Sequence, residues 1–204
     1  NNLGSMPLNK AIDLAKQVGN TLKDDLFRRD FSINAIALTI TTPPQILDPI
    51  GGIEHLDQKI LVAVSEKNLI DDPLRLIRGL RLMAELRLGV ASQTKTLIKL
   101  HSKLLLEVAP ERIQYEISRL VRAEWAEDVI PLLIETELLQ PWMQKSIFSA
   151  LEMPVIKNAK AFTHEEIASA MPLIRLTHLL DDQGLMGLRF GRKQSQRCYL
   201  LRKW

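Results

Sequence analysis

Apolar residues in the stretch Asp71-Asp72-Pro73-Leu74-Arg75-Leu76-Ile77-Arg78-Gly79-Leu80-Arg81 fall at helical spacing, with Leu74, Ile77, Leu80 and Leu82 forming a stripe. The pattern predicts a helix that opens at the acidic pair and Pro73 and ends near Leu88-Gly89. Proline suits a first helical turn, where its missing N–H has no partner to lose, and acids there complement the helix dipole. The same periodicity predicts helices over Gln93–Leu106, Pro110–Arg122, Trp125–Leu138, Trp142 to about Leu151, His164–Leu180 with a kink or break at Pro172, and Arg192–Trp204. Nearer the start, Pro7–Gly19 reads as a helix stopped by Gly19-Asn20. Ile36–Ile40, Gln45–Leu47 and Lys59–Val64 read as strands, separated by Pro43-Pro44 and by the turn Asp48-Pro49-Ile50-Gly51-Gly52.

These elements give an α+β chain that is mostly α. Residues 1–64 carry the remnant of a small β-sheet, and residues 65–204 form an all-helical array joined by short polar loops. Three short strands are too few to be stable alone, so the sheet needs helical cover. With 204 residues, 46% of them hydrophobic, the chain is long enough for one good core or two small ones.

Charge adds a second layer. Asp72, Arg75, Arg78 and Arg81 recur every third residue along the predicted helix. Such a row is by itself usually a solvated face with salt bridges. Arg189, Arg192, Lys193, Arg197, Arg202 and Lys203 form a run with no acid among them, either a solubilising tail or a contact for RNA. The net charge of +3 permits a polyanionic partner without demanding one. A single cysteine, Cys198, excludes an internal disulfide and fits a reducing, cytoplasmic setting. No apolar run reaches the roughly 20 residues that cross a bilayer. His55, His101, His164 and His178 are scattered without metal-ligand spacing.

The dense stretches, taken in order, change the weight of the arginine row. Arg28-Arg29-Asp30-Phe31-Ser32-Ile33-Asn34-Ala35 resembles the RRDFTINA motif of class II nucleotidyltransferases, the tRNA CCA-adding enzymes and bacterial poly(A) polymerases. Asp48-Pro49-Ile50-Gly51-Gly52 resembles that family's DPxGG motif. Asp71-Asp72-Pro73-Leu74-Arg75 is similar to its EDxxR motif, with Asp71 in place of the usual Glu. Glu111-Arg112-Ile113, followed by Glu116 and Arg119, resembles the helix that comes next. Four motifs in the right order are far more specific than any one of them.

The resemblance implies a β-sheet head that carries the active site, here residues 1–64, followed by a helical neck and body, here residues 65–204. It implies a tRNA 3′ end, ATP and CTP as partners, Mg²⁺ as cofactor, and no membrane or protein partner. Carried over position by position, Arg29, Asp71, Asp72, Arg75, Arg78 and Arg81 would bind the nucleotide, with Asp30 and Asn34 close by. Arg189, Arg192, Lys193 and Arg197 are the candidate RNA contacts. The family's strand bearing Asp-x-Asp, whose carboxylates hold two Mg²⁺ ions, has no counterpart in the sequence, so no catalytic or metal-binding residue is assigned. The sequence therefore reads as a piece of a head followed by neck and body. In chemical terms, a carboxylate only accepts hydrogen bonds and a guanidinium only donates them. Asp72 and Arg75 thus match the amine donor and ring-nitrogen acceptor of cytosine and adenine, and mismatch uracil and guanine.

Overall fold

A Thr-x-x-Asp box starts the first helix of the computed structural model, which describes residues 21–143 and 163–203. The Thr21 hydroxyl accepts the Asp24 N–H and the Asp24 carboxylate accepts the Thr21 N–H, capping α1 (Leu22–Phe27). The chain then extends through Phe31 and turns once over Ser32–Asn34. Next come β1 (Ala37–Leu38), β2 (Ile46–Leu47), α2 (Gly52–Asp57), β3 (Ile60–Leu61), α3 (Glu66–Asp71), α4 (Leu74–Leu86) and β4 (Gly89–Val90). Helices α5 (Ser92–Leu100), α6 (Pro110–Leu120) and α7 (Ala126–Glu135) follow, with 3-10 turns at Ser102–Glu107 and Gln140–Trp142. Then come α8 (His164–Leu179), α9 (Asp182–Gly187) and α10 (Arg192–Lys203). The expected helix at Pro7–Gly19, the one running on from Trp142 beyond residue 143, and Trp204 lie outside the described residues.

The predicted strands do not form one sheet. β1 and β2 pair antiparallel, while β3 pairs parallel with β4, placing Ile60 beside Gly89 and Leu61 beside Val90. A parallel pair needs a crossover between its strands, and α3 and α4 supply it. The helix expected to open at Asp71 opens at Pro73 as α4, and Asp71 belongs to a separate helix before it, α3. Ser65 caps α3 by accepting the Asn68 N–H, Asp71 ends it, and Asp72 is held extended ahead of Pro73. The helix expected over Gln93–Leu106 likewise breaks at His101. In contrast, α8 runs unbroken through Pro172. The carbonyl that this proline leaves without a partner belongs to Ala168, in an exposed turn where water can serve it.

α4 is the central element. Leu74, Leu76, Ile77, Leu80, Leu82, Met83 and Ala84 are all buried, so its apolar cover runs most of the way round rather than along one stripe. It packs on α6 and α7, while α8 packs on α10. Phe31 and Leu61 join the same buried cluster as Leu69, Leu76 and Ile77, so packing is continuous across residue 64. Burying Phe31 completely contributes about 2–3 kcal/mol. Its ring is admitted by Gly79, since a Cβ there would stand 2.6 Å from Phe31 Cζ. Glycine in mid-helix costs about 1 kcal/mol relative to alanine, less than the burial it allows.

Candidate nucleotide site

Where α4 begins, its side chains meet the run Phe27–Asp30. The Asn68 side chain donates from Nδ2 to the carbonyls of Phe27 (2.8 Å) and Arg29 (2.7 Å). Arg75 donates from Nη1 to the carbonyl between them, on Arg28 (2.9 Å), and to that of Asn68 (3.0 Å). Three successive loop carbonyls are thus held by two side chains of the α3–α4 unit. One turn further along α4, Arg78 Nε meets Asp30 Oδ2 at 2.8 Å. Asp30 is buried, and its Oδ1 accepts the Phe31 N–H and the Asn34 Nδ2, both at 2.9 Å. Asn34 and Asp30 therefore brace Arg78. Arg29 is half-exposed and leans back on Asp25 at 2.6 Å.

Asp72, between the two helices, accepts Arg112 Nη2 on both carboxylate oxygens at 3.2 Å. Arg112 comes from the Glu-Arg motif of α6, so the fourth motif meets the third. Asp71 is exposed and pairs with Lys67 at 2.5 Å. That hydrogen bond, opposed by slight burial and helped by the charges of Lys67, Arg75 and Arg28, holds the Asp71 carboxyl below its usual range. Arg28, Asn68 and Arg112 are members of this cluster that sequence reasoning left out of the candidate site. Nothing local marks Asn68, because its partners are backbone carbonyls 41 and 39 residues away.

The arginine row does not stay on one side. Steps of three residues turn back by about 60° each on a helix of 3.6 residues per turn, so Arg81 lies about 120° round from Arg75. It is 4% exposed, bonded through Nε to Glu116 (2.6 Å) and through Nη1 to Glu85. The expectation that Arg81 binds the nucleotide is corrected: its guanidinium is a buried tie between α4 and α6. Arg119 pairs with Glu85 as well, at 2.9 Å. The fourth motif thus binds α4 at two levels, through Glu116 and Arg119, and the residue ahead of it, Asp72, through Arg112.

The DPxGG turn has a structural duty. Asp48 accepts the N–H groups of Gly52 (2.7 Å) and Ile53 (2.9 Å), the opening donors of α2. Gly51 sits at φ +75°, where a side chain is strained, and a Cβ on Gly52 would stand 2.2 Å from the Ser32 carbonyl oxygen. Burial pushes the Asp48 pKa up, but N–H groups of Ile53, Gly52, Ile50 and Gly51 outweigh it and hold the carboxyl below its usual value. A depressed folded-state pKa stabilises above the unfolded value, about 3.9 for Asp, and that contribution is lost as pH falls through the folded one. Asp48→Asn is therefore expected to cost stability by an amount that is constant above about pH 5 and shrinks at lower pH. Urea titrations of both proteins at a series of pH values check this, and a gap that widened on acidification would remove Asp48 from the cap.

At the basic end, three of the six expected cations are engaged. Arg189 pairs with Glu111, and Arg202 pairs with Asp182 while donating to the carbonyls of Thr177 and Leu180. Lys203 lies over the Tyr199 ring at 4.4 Å. Arg192, Lys193 and Arg197 are exposed and enter no ion pair among the described residues. The six-cation run thus leaves three cations with neither an ion pair nor a ring contact among the described residues. Among the described residues no three His, Cys, Asp or Glu side chains are grouped to hold a metal, so they do not fit the two-Mg²⁺ centre that the resemblance implies. No helix among them is long and apolar enough to cross a membrane.

Comparison with known proteins places this geometry. Residues 8–62 match the poly A polymerase head domain, and residues 87–147 match the probable RNA and SrmB-binding site of polymerase A. The second match ends before the basic run of α10. The chain is 38% identical to the CCA-adding enzyme of Anoxybacillus flavithermus over 120 residues, 58% of this chain and 30% of that one. It is 34% identical to the CC-adding tRNA nucleotidyltransferase of Geobacter sulfurreducens over 154 residues, 76% of this chain and 34% of that one. It spans about a third of the length of these curated relatives. The fold matches the Bacillus stearothermophilus CCA-adding enzyme in complex with CTP at a TM-score of 0.58 and 27% identity, covering 89% of this chain and 44% of that one. A CCA-adding enzyme in complex with ATP matches at 0.63 and 19% identity, over 89% of this chain and 47% of that one. With four motifs in order, two family matches and this shared fold, the chain belongs to the family of CCA-adding tRNA nucleotidyltransferases and poly(A) polymerases.

Proposed function

We propose that the chain selects the nucleotide and holds the RNA in a tRNA nucleotidyltransferase that adds C and/or A to the tRNA 3′ end. The observation that carries the reading is the placing of Asp72 and Arg75 one turn apart where α4 begins, joined by the Arg75 N–H to the Asp72 carbonyl at 3.0 Å, beside the Arg28-Arg29-Asp30 run. Asp72 offers two carboxylate oxygens, each with lone pairs beyond the one given to Arg112. Arg75 spends only Nη1 on backbone carbonyls, those of Arg28 and Asn68. An acceptor and a donor are thus left for the pairing edge of cytosine or adenine, while Arg78 and Arg29 supply guanidinium charge for phosphate oxygens. Addition of CC alone is a second reading, favoured by the Geobacter sulfurreducens relative and by the CC-adding tRNA nucleotidyltransferase of Synechocystis, 33% identical over 140 residues.

Competition among the four nucleoside triphosphates tests the template. Asp72→Ala and Arg75→Ala are each expected to lose about 1–3 kcal/mol of discrimination for CTP and ATP against UTP and GTP. Arg78→Ala is expected to weaken all four alike, since phosphate contacts carry no base identity. An unchanged CTP/UTP preference in Arg75→Ala sinks the template. Addition of labelled CMP and AMP to tRNA lacking its 3′ end, by the full-length protein, separates the enzyme from a binding module.

Arg192, Lys193 and Arg197 of α10 belong to the same reading as backbone contacts for tRNA. Neutralising Arg192, Lys193 and Arg197 together is expected to lower the slope of log affinity against log salt by up to about 2–3, while leaving CTP binding alone. An unchanged slope makes them solubilising charges.

A further inference from the structure

We infer that Asn68 is a positioning residue for base selection, acting through Arg75 and the Arg28-Arg29 run; this rests on the function proposed above. Asn68 is 7% exposed and sits inside α3, away from any ligand edge. Its partners Phe27 O and Arg29 O are both acceptors, so only the amide nitrogen faces them and both of its hydrogens are used. The backbone oxygen of the same residue accepts from Arg75 Nη1. The other acceptor on Nη1 is the Arg28 carbonyl, which lies between the two carbonyls that Asn68 grips. Asn68 therefore touches both acceptors that orient Arg75, one as its own backbone and one through the neighbours on each side.

The geometry sets the consequence. Both hydrogens on Nη1 lie in the guanidinium plane, so two fixed acceptors define that plane. Nε and Nη2, the groups left to read a base, are then aimed by the backbone of residues 28 and 68. Without the Asn68 amide, residues 27–29 lose two of the bonds holding them to α3, and the Arg28 acceptor is free to drift. The Arg75 plane drifts with it. Base identity, which depends on the angle of a donor to a ring nitrogen, suffers more than phosphate contact, which is served by charge over a wider range of directions.

Equilibrium binding of CTP and UTP to the full chain tests this. Asn68→Ala is expected to cut the CTP/UTP affinity ratio by about five- to tenfold, the scale of one to two hydrogen bonds, with a smaller fall in UTP affinity. Val129→Ala, which destabilises the buried face of α7, is expected to keep the ratio, so a general loss of stability does not imitate the effect. Asn68→Ser, whose hydroxyl donates to one carbonyl only, is expected to fall between, and it carries the test if Asn68→Ala does not fold. An unchanged ratio in a folded Asn68 variant, beside a wild-type chain that prefers CTP, overturns the positioning role and leaves the template standing. A wild-type chain with no preference overturns the template and this role with it.

Discussion

Arg81→Ala is expected to remove about 3–5 kcal/mol of stability, the scale for breaking a buried ion pair from one side. Glu116 is 4% exposed, and its buried carboxylate would stay behind without the guanidinium it is bonded to. Glu85 would keep Arg119 and suffer less. Small domains are stable by only about 5–15 kcal/mol in total, so a urea midpoint shift should be unmistakable. The double replacement Arg81→Met with Glu116→Leu removes both charges and fills the space, and it is expected to be near neutral. That variant also examines the corrected assignment: CTP affinity should survive in it. A folded double variant that had lost CTP would return Arg81 to the phosphates.

Asp30→Ala is the second large effect, about 2–4 kcal/mol. The buried Phe31 N–H and the Asn34 amide lose their acceptor, and Arg78 loses its anchor. The cost stays below that of Arg81 because Arg78 is 45% exposed and water can take its charge. Asp30→Asn keeps its one oxygen as the acceptor for Phe31 and Asn34 but turns its NH2 donor to Arg78, so it is expected to lie between. Nucleotide binding should fall for all bases together, since Asp30 acts through Arg78. Chemical denaturation and four-nucleotide competition on the same samples check both halves. Selective loss of one base would mean that Asp30 touches the ring directly.

The sequence was legible wherever a signal repeats locally. The helices α4, α6 and α10 follow their apolar spacing to within two or three residues. The four motifs named the region where Arg75, Arg78 and Asp72 meet their partners. Elsewhere one local rule imitated another. Asp71-Asp72-Pro73 has the composition of a helix start, yet Asp71 closes α3 and only Pro73 opens α4. A spacing of three reads as a row on paper and as a slow spiral on the helix, which is how Arg81 passed into the core. β4 is two residues long and has no periodicity to show; it exists because α4 delivers Gly89 beside Lys59. Asn68, Arg112 and the pairing of Arg189 with Glu111 depend on residues 39 to 78 positions away, and no window on the sequence contains both ends.

The β3–β4 pair has a consequence for how this region opens and closes. Bringing residues 60 and 89 together closes a loop of about thirty residues at an entropy cost of roughly 3 kcal/mol, which a ladder of two rungs does not offset. The docking of α4 does. When α4 lifts, the bonds from Gly89 N–H to Lys59 O and from Ala91 N–H to Leu61 O part with it. The run Arg28–Asp30 is laced to the same stretch through Ser32 N–H to Val62 O and Val64 N–H to Asp30 O. The runs 28–32, 59–64 and 89–91 are thus expected to open together with α4 as one unit. Their backbone amides are expected to exchange with solvent as a group, on the clock of α4 and not of the strands themselves.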